Sequence, residues 1–406
     1  MQKLLKSYLR RLSNLSGNNR SILLLRLLKD HAIDLHDFDY TENEASFEII
    51  KKLIEQQKHI KLCQDLDSRS KSANELSKRL KKIHRTEKFI FEERGAKDLY
   101  VGWPMIKGKF VDDTLIRCPL IFFPVSIERK DGDCLISRRS DVNITLNKTF
   151  LLAYSYYNQI PLDEELIETV IDDYDRDATV FRTQLYQLLK NSGVELHFNQ
   201  ENFTDQLQAF KDLNKSQMES SEKTGVLKMY PEAVLGIFPQ AGSYLVPDYV
   251  KLLEDQEEPD LESFFVKRNL RENENQLALF DRVNEENTFT PFPLDAYQEH
   301  ALKEIKKGQS LVVQGPPGTG KSQLISNLIC DFIARGKNVL VVCQKKAALD
   351  VVYERLKSKD MHDFVALVHD FKNDRKPIYE QIDQQIESVE VYEKKNNSLD
   401  AIQFFR

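Results

Sequence analysis

The sequence predicts an α/β fold, with an incomplete parallel sheet in the C-terminal part and an α+β domain before it. Three observations support this fold class. After residue 291, apolar strand-like runs alternate with amphipathic helical stretches. A glycine-rich loop stands between the first run and the helix that follows it. Residues 1–255 combine helical periodicity with a hairpin pattern. A β-α-β-α-β series implies parallel strands with right-handed crossovers.

The overall composition is that of a globular protein with room for two or three domains in its 406 residues. A net charge of -6 excludes a basic nucleic-acid coat, so nucleic-acid contacts would depend on local patches. The N-terminus lacks a signal-peptide core, and no run approaches the roughly 18 apolar residues of a membrane span. We therefore expect a cytoplasmic protein without a membrane partner. Its five cysteines show no C-x-x-C spacing, which predicts buried or half-buried thiols.

The first 95 residues are predicted to be helical, because two sets of apolar residues recur at helical spacing. The first set is Phe47, Ile50, Leu53 and Ile54. The second set lies in a basic amphipathic stretch and comprises Leu76, Leu80 and Ile83, with Lys78, Arg79, Lys81, Lys82 and Arg85 between and after them. The basic residues of this stretch form either a solvated face, the favoured interpretation, or a contact for nucleic acid or a partner.

Strand signals begin at Leu99. The run 115–127 is rich in β-branched and aromatic residues, and Asp131-Gly132 is a hairpin signal before the next apolar run. Helical patterns return at 163–172 and 179–190, and Gly193 stands where a helix C-cap would. Residues 194–198 and 233–238 are predicted to be short strands.

An acidic and polar linker is predicted over 256–290, and the parallel-sheet domain over 291–376. Its predicted strands are 310–314, 338–342 and 364–368, and its predicted helices are 320–335 and 347–358. Pro377 opens a further helix, in which Ile378, Ile382 and Ile386 are spaced by four.

A phosphate-binding loop is the most specific motif. It fits G-x-x-x-x-G-K-[ST] at every fixed position, in the required place between a strand and a helix, and consists of Gly315, Pro316, Pro317, Gly318, Thr319, Gly320, Lys321 and Ser322. Glycines allow successive N–H groups to point at phosphate oxygens, and the helix adds its positive N-terminal end. We expect Lys321 to bridge the β- and γ-phosphates and Ser322 to ligate Mg²⁺. The predicted ligand is ATP with Mg²⁺.

Residues 293–356 resemble the first RecA-like domain of superfamily 1 helicases of the up-frameshift type. The loop has that family's double proline, and residues 294–298 (LDAYQ) resemble its glutamine motif. The resemblance implies that the Gln298 carboxamide reads the adenine edge. Otherwise Gln298 is a surface residue on the helix that leads to the strand.

Residues 339–350 resemble that family's motif Ia, which contacts the backbone of single-stranded nucleic acid. The family often has Ser or Thr followed by Asn where this chain has Lys345 and Lys346. Two lysines at a helix N-terminus still hold phosphates, as cations. The sequence leaves open whether they contact DNA or RNA in this way or are two solvated lysines.

A weaker resemblance covers the front of the chain, at residues 12–20 (LSNLSGNNR), 117–125 and 235–238. These segments resemble an uncharacterised domain that precedes the helicase core in large bacterial helicases. That domain implies no known chemistry. Asn18, Asn19 and Arg20 are interpreted as a turn and a cap.

The second acidic motif of a helicase, an Asp-Glu pair at a strand end, is missing after Asp350. Asp370 follows an apolar run but has no acidic neighbour. The helical start over 377–406 resembles a family insertion, so we expect an N-terminal portion without the downstream helicase domains, which binds ATP but does not turn it over efficiently. The alternatives are a nucleotide-binding interaction module without catalysis and a compact P-loop kinase, which would need an acid such as Asp370.

Overall fold

The computed structural model describes residues 8, 19–65, 71–167, 169–197, 205–240, 251–252, 288–316, 318–369 and 374–388. The chain forms two compact units. The first comprises residues 1–91 and 96–264, and the second comprises residues 92–95 and 265–406. The predicted linker lies outside the described residues, apart from residues 288–290.

The first unit is built on an antiparallel sheet, as expected of an α+β domain. Its strands are β1 Ala32–Asp34, β2 His59–Gln64, β3 Leu99–Lys109, β4 Leu115–Lys130, β5 Asp133–Arg138, β6 Thr145–Leu146, β7 Leu227–Tyr230 and β8 Val234–Ile237. The order along the sheet is β1-β8-β3-β4-β5-β2, with β6 paired to β4 and β7 to β3. The first unit thus places its longest strands, β3 and β4, at the centre of the sheet.

The predicted hairpin is confirmed between β4 and β5. Lys130 pairs with Asp133, so the turn contains only Asp131 and Gly132, with φ of 55° and 83°. Positive φ at both central residues is the geometry of a type I′ turn, whose twist matches that of the strands it joins. Asp and Gly are favoured here because they adopt this conformation at low cost.

Helices cover the sheet of the first unit. They are α1 Phe47–Ile54, α2 Lys71–Arg94, α3 Lys148–Asn158, α4 Glu164–Ile167, α5 Ala178–Asn191 and α6 Lys215–Ser221. The predicted face of α1 is confirmed, since Phe47, Ile50, Leu53 and Ile54 are all buried. The apolar face of α2 is also confirmed, because Leu80 and Ile83 belong to the same core and Leu76 packs against it. The predicted cap is correct at α5, where Gly193 follows the C-cap residue with φ of 74°.

The two faces of the sheet are buried in different clusters. The larger cluster includes Val101, Trp103 and Phe123 and extends to the helices. The smaller one includes Tyr100 and Phe122, whose ring centroids lie 5.2 Å apart. Because successive strand residues point to opposite faces, burial on both sides explains the almost unbroken apolar runs of β3 and β4.

Three predictions for the first unit were wrong in part. The first 95 residues contain β1 and β2 as well as helices, because Ile60 and Leu62 are buried with period two and β1 pairs with the distant β8. The helix predicted over 163–172 ends at Ile167, since Val170 instead bridges Thr145. In 194–197, only His197 makes an isolated bridge, to Lys228.

The turn predicted at the front is present in its described part. The Asn19 side chain accepts from the Ser21 N–H at 2.9 Å, and its carbonyl accepts from Ile22 and Leu23. Asn18 lies outside the described residues. The five cysteines are thiols, four of them buried and Cys343 half-buried, as the sequence predicts.

Asp34 is a buried carboxylate at the end of β1. It accepts hydrogen bonds from the backbone N–H groups of His36, at 3.0 Å, and Phe210, at 2.6 Å. Burial raises the pKa of Asp34 to about 6, although the two backbone hydrogen bonds oppose this shift and the nearby Asp37 adds to it. The folded state therefore holds this proton more tightly than the unfolded chain does.

We expect Asp34 to stabilise the first unit at low pH and to lose this contribution as pH rises toward its folded pKa. The unfolded pKa is near 3.8 and the folded value about 6, so the contribution falls by roughly 2 kcal/mol between pH 4 and pH 7. The measurement is the difference in unfolding free energy between the parent and Asp34→Asn across this range. This difference cancels the pH dependence that the other carboxylates contribute to both chains. If the difference in unfolding free energy is the same at every pH, the pKa of Asp34 is not raised.

The second unit contains four described helices and a short 3₁₀ turn. They are α7 Ala296–Lys306, α8 Lys321–Ala334, α9 Lys346–Lys357, the turn His362–Phe364, and α10 over 375–388. Helices α8 and α9 pack through a core of Ile329, Cys330, Val352 and Leu356. These helices confirm the predicted helical pattern of this region, and α10 confirms the one at Pro377.

The three runs predicted as strands of the second unit form no hydrogen-bonded strand within its described residues. Their apolar side chains include some of the most exposed of the chain, with Val312 89%, Leu340 88% and Val342 81% exposed. Strands of a parallel sheet are normally covered on both faces. Among the described residues these runs do not pair with one another as strands, so the parallel sheet stays a prediction. Among the described helices of the whole chain, none combines the length and apolar character needed to cross a membrane.

Candidate nucleotide-binding site

The glycine-rich loop leads directly into α8, as its motif predicts. Gly318 and Gly320 have φ of 90° and 75°, in the left-handed region that favours glycine. At Gly315, an added Cβ would lie 2.5 Å from Thr319 Oγ1. The backbone conformation therefore favours glycine at Gly318 and Gly320, and the nearby Thr319 side chain favours it at Gly315. Pro317 lies outside the described residues.

Lys321 closes the loop on itself. Its ammonium donates to the carbonyl oxygens of Gly315 and Pro316, the latter at 2.8 Å. The Thr319 hydroxyl donates to the same Pro316 oxygen at 2.9 Å. Phosphate oxygens would have to replace these carbonyls as acceptors for Lys321, and the lysine is already positioned at the first turn of α8, next to its positive end.

Gln298 reaches the loop from α7. Asp295 and Gln298 form the capping box of this helix, in which the Asp295 carboxylate accepts from the Gln298 N–H at 2.8 Å. The Gln298 carboxamide also donates to the Thr319 carbonyl at 3.2 Å. A Cβ on Gly320 would lie 2.4 Å from Gln298 Nε2, so a side chain at this position would displace the Gln298 carboxamide.

A pair of polar residues on α8 fixes the segment before α7. The Asn327 side chain accepts from the Phe292 N–H and donates to the Phe292 carbonyl, both at 3.0 Å. One turn later, the fully buried Asp331 accepts from the Phe289 N–H at 3.2 Å and pairs with Lys306 and Arg335. These contacts hold α7, and with it Gln298, against α8. The sequence motif gave no signal for them.

A cleft of about 700 Å³ lies beside the loop. Its lining includes Gln298, Tyr297 and the loop residues Gly315, Gly320 and Lys321. This volume is within the usual range of about 300–1,000 Å³ for small-molecule sites. The residues that line it fit a nucleoside triphosphate, because they include the glycine-rich loop, the Lys321 ammonium and the aromatic side chain of Tyr297.

Tyr297 was missed by the sequence prediction. Its side chain is 88% exposed and lines the cleft next to Gln298. An aromatic residue adjacent to the glutamine was the available signal. Ser322, by contrast, is half-buried in the first turn of α8 and is not part of the cleft lining, so its predicted role toward Mg²⁺ stays a prediction.

Lys345 and Lys346 lie at the N-terminus of α9. Lys345 is the N-cap residue and its side chain is 62% exposed. Its ammonium pairs at 3.0 Å with Glu93, which belongs with residues 92–95 to the second unit although it lies in the last turn of α2. Lys346 opens the helix. The lysines thus occupy the predicted helix end, where the helix dipole favours an anion, but Lys345 has a carboxylate partner that a phosphate would displace.

Asp370 lies outside the described residues. The preceding His369 contacts Asp350 on α9, with 2.8 Å between His369 Nε2 and Asp350 Oδ1. The His369 N–H also donates to the Asp374 carboxylate at 2.6 Å. Within the described part of the chain, no group of three or more His, Cys, Asp or Glu side chains is arranged to hold a metal ion.

Comparison with protein families assigns two regions. Residues 3–153 match the family model "Protein of unknown function (DUF4011)", and residues 293–403 match the model "AAA domain". The second match includes the phosphate-binding loop, Gln298 and the two lysines. It supports a P-loop fold for this region.

Two curated relatives are similar to the chain. The uncharacterized ATP-dependent helicase MG140 homolog of Mycoplasma pneumoniae is 28% identical over 284 residues, which is 69% of this chain and 24% of the relative. The uncharacterized ATP-dependent helicase MG140 of Mycoplasma genitalium is 28% identical over 291 residues, which is 70% of this chain and 24% of the relative. The chain thus spans about a quarter of the length of these relatives. No solved structure matches it significantly.

Proposed function

We propose that this chain is the ATP-binding N-terminal part of an ATP-dependent nucleic-acid helicase of superfamily 1, of the up-frameshift type. The observation that carries the proposal is the phosphate-binding loop, with Lys321 at the first turn of α8 and Gln298 and Tyr297 beside the same cleft. The similarity to proteins named ATP-dependent helicases supports the choice of helicase among the functions of P-loop proteins.

In this proposal the runs 310–314, 338–342 and 364–368 are strands of a RecA-like parallel sheet. Val341 and Val365 support it, because both pack against the core shared by α8 and α9. Strands of such a sheet lie between helices that are connected in this order. The exposed Val312 and Leu340 would then be covered by further parts of the same domain.

Each site residue has a distinct role. Lys321 holds the β- and γ-phosphates, the N–H groups of the glycine-rich loop surround them, and the Ser322 hydroxyl holds Mg²⁺, which neutralises phosphate charge. The Gln298 carboxamide recognises the adenine edge with its acceptor and two donors. Tyr297 provides a ring on which the base stacks. One of the two N–H donors of Gln298 is bonded to the Thr319 carbonyl, which links base recognition to the shape of the loop.

The nucleic-acid partner is proposed to be a single strand, with its phosphates held by Lys345 and Lys346. Each phosphate contact releases counterions, so it adds to the slope of log affinity against log salt concentration. We expect the magnitude of this slope to fall in Lys345→Ala/Lys346→Ala by about 0.7 for each lost contact. Sequence preference should change little, since phosphates carry no base identity. The measurement is a salt titration of single-strand binding by fluorescence anisotropy.

The matched control for this titration is Lys357→Ala/Lys359→Ala. It removes the same charge from the opposite end of α9, which lacks the positive end of the helix dipole. Coincident slopes for the parent and the Lys345/Lys346 variant would show that these lysines are only solvated. A chain that bound neither MgATP nor a single strand would contradict the proposed function as a whole.

A further inference from the structure

Helix α2 differs in charge from the rest of the chain. Its 24 residues carry eight lysines and arginines against four glutamates, while the whole chain has a net charge of -6. The apolar residues Leu80 and Ile83 hold one face of the helix in the core of the first unit. The basic residues therefore project on the other side, and the proposed nucleotide site makes no use of them.

A stripe of four residues runs along the outer face of α2. Lys78, Lys82, Arg85 and Phe89 are spaced by four, three and four residues, which places them on one side of a helix. All four are exposed, and the Phe89 ring is 61% exposed. Over eleven residues the stripe extends about 16 Å along the helix axis.

The cations of this stripe are unpaired among the described residues, in contrast to their neighbours. Lys78, Lys82 and Arg85 have no ion pair or side-chain hydrogen bond in the described part of the chain. Lys81 pairs with Asp65 at 2.8 Å. The Arg79 guanidinium donates to the Ala32 carbonyl at 2.8 Å. The stripe therefore presents a row of ammonium and guanidinium groups that are ready to bind an external anion.

The stripe continues into a cleft of about 520 Å³. Lys29 lines it opposite the helix, with Lys78 and Lys82 on the helix side. The carboxylates of Asp37 and Glu75 also line it, and Asp37 lies 3.9 Å from Arg79. The cleft keeps an excess of positive charge and is open to an extended polyanion.

We propose that the α2 stripe and this cleft bind single-stranded nucleic acid. Lys29, Lys78, Lys82 and Arg85 contact successive phosphates, and an unpaired base stacks on Phe89. A row of cations beside an exposed aromatic ring is the combination that single-strand surfaces use, because the ring accepts any base while the cations follow the backbone. A duplex keeps its bases stacked and offers none to the ring. The choice of nucleic acid as the polyanion rests on the proposed function.

The test is fluorescence anisotropy of a labelled mixed-sequence 20-mer, single-stranded or duplex, titrated with the full chain at several salt concentrations. We expect Lys78→Gln/Lys82→Gln/Arg85→Gln to lower the magnitude of the salt slope by about 2, at roughly 0.7 per contact on single strands. The matched control, Lys130→Gln/Lys190→Gln/Lys223→Gln, removes three exposed charges from other elements of the first unit. It should leave the slope close to that of the parent.

Phe89 gives a second readout that does not depend on charge. We expect Phe89→Ala to weaken single-strand binding about 5- to 100-fold with an unchanged salt slope, because stacking releases no counterions. Phe89→Trp keeps a ring and should retain binding. Duplex affinity should be the same in the parent and in both Phe89 variants. Thermal unfolding of each variant verifies that the exposed substitutions leave the fold intact.

Equal loss of binding in the two triple variants would overturn the proposal, as would a Phe89→Ala chain with parent affinity for the single strand. So would a parent chain that binds no single strand, or one that binds duplex equally well through the same residues. Titration of the parent and of each variant with MgATP separates the proposal for the α2 surface from the proposal for the nucleotide site. If the α2 triple variant loses strand binding but still binds MgATP, the result supports the α2 surface. If neither the parent nor any variant binds MgATP, the result contradicts the proposed nucleotide site and leaves the α2 proposal unaffected.

Discussion

Lys321→Ala is expected to lower the affinity of the chain for MgATP by at least tenfold and on the order of 100-fold. A lysine that bridges two phosphates makes charge-assisted hydrogen bonds, each of which contributes about 1.5–3 kcal/mol, and every 1.4 kcal/mol is a factor of ten in affinity. Among the described residues, the Lys321 ammonium donates to the Gly315 and Pro316 carbonyls, which are weaker acceptors than phosphate oxygens.

Isothermal titration calorimetry with MgATP, carried out on the parent and on the Lys321→Ala chain, measures this loss of affinity. Lys303→Ala is the control, since Lys303 is on α7 outside the cleft lining and pairs with Glu299. Lys321 also stabilises the loop through its hydrogen bonds to the Gly315 and Pro316 carbonyls. The midpoint of thermal unfolding is therefore measured for each chain to show that the substitution leaves the fold intact. Equal MgATP affinities for the parent and the Lys321→Ala chain would remove the basis for assigning this lysine to the phosphates.

The features predicted correctly from the sequence are those fixed by neighbouring residues. The Asp131-Gly132 turn requires positive φ at two adjacent positions, and only a few residue types permit it. The loop requires glycine at Gly318 and Gly320 for the same reason. Helix α1 could be predicted because the apolar spacing over its two turns defines its buried face.

The features that were missed depend on partners far away in the sequence. Strand β1 has only three residues, and it is a strand because Ile33 pairs with Leu235 about 200 residues later. The attachment of α7 to α8 through Asn327 depends on one amide that faces the backbone of Phe292. Neither contact leaves a periodic pattern, so neither can be read from spacing alone.

The predicted strands of the second unit also depend on partners that their own sequence does not specify. Val341 and Val365 pack as strand residues would, whereas Leu340 and Val342 remain mostly exposed. An apolar run indicates that its side chains are to be buried. The backbone hydrogen bonds of a parallel strand, however, are made to the strands on both sides of it. The sequence of a run predicts its tendency to form a strand, and pairing is decided by the elements beside it.

Arg117 is the buried charge whose loss should destabilise the first unit most. Its side chain is almost fully buried near the start of β4. The guanidinium donates to the Lys211 carbonyl at 2.7 Å and to the Glu232 carboxylate at 3.0 Å, and its Cζ lies 3.5 Å from the centroid of the Phe210 ring. One side chain thereby holds three residues from the segment before β8 against the centre of the sheet.

We expect Arg117→Ala to lower the free energy of unfolding of the first unit by about 3–5 kcal/mol, because it leaves the Glu232 carboxylate without its cation and opens space beside Phe210. Arg117→Lys should cost less, since it keeps the charge but loses the planar fork and the stacking on the ring. Glu232→Gln should cost least, because a neutral amide oxygen still accepts from the guanidinium. Urea unfolding followed by circular dichroism measures this order.

A reversed order would contradict this account. The expected order itself has two explanations, namely the charge of the Arg117 side chain and the space that it fills. Arg117→Met/Glu232→Gln distinguishes the two explanations. It removes both charges and keeps most of the volume, and replacing a buried pair in this way is often nearly neutral. If the double variant is much more stable than Arg117→Met, which has the same volume at this position, the uncompensated Glu232 carboxylate is the main cost of losing the cation. If both are equally unstable, the bonds from the guanidinium to Lys211 and its contact with Phe210 contribute most of the stabilisation.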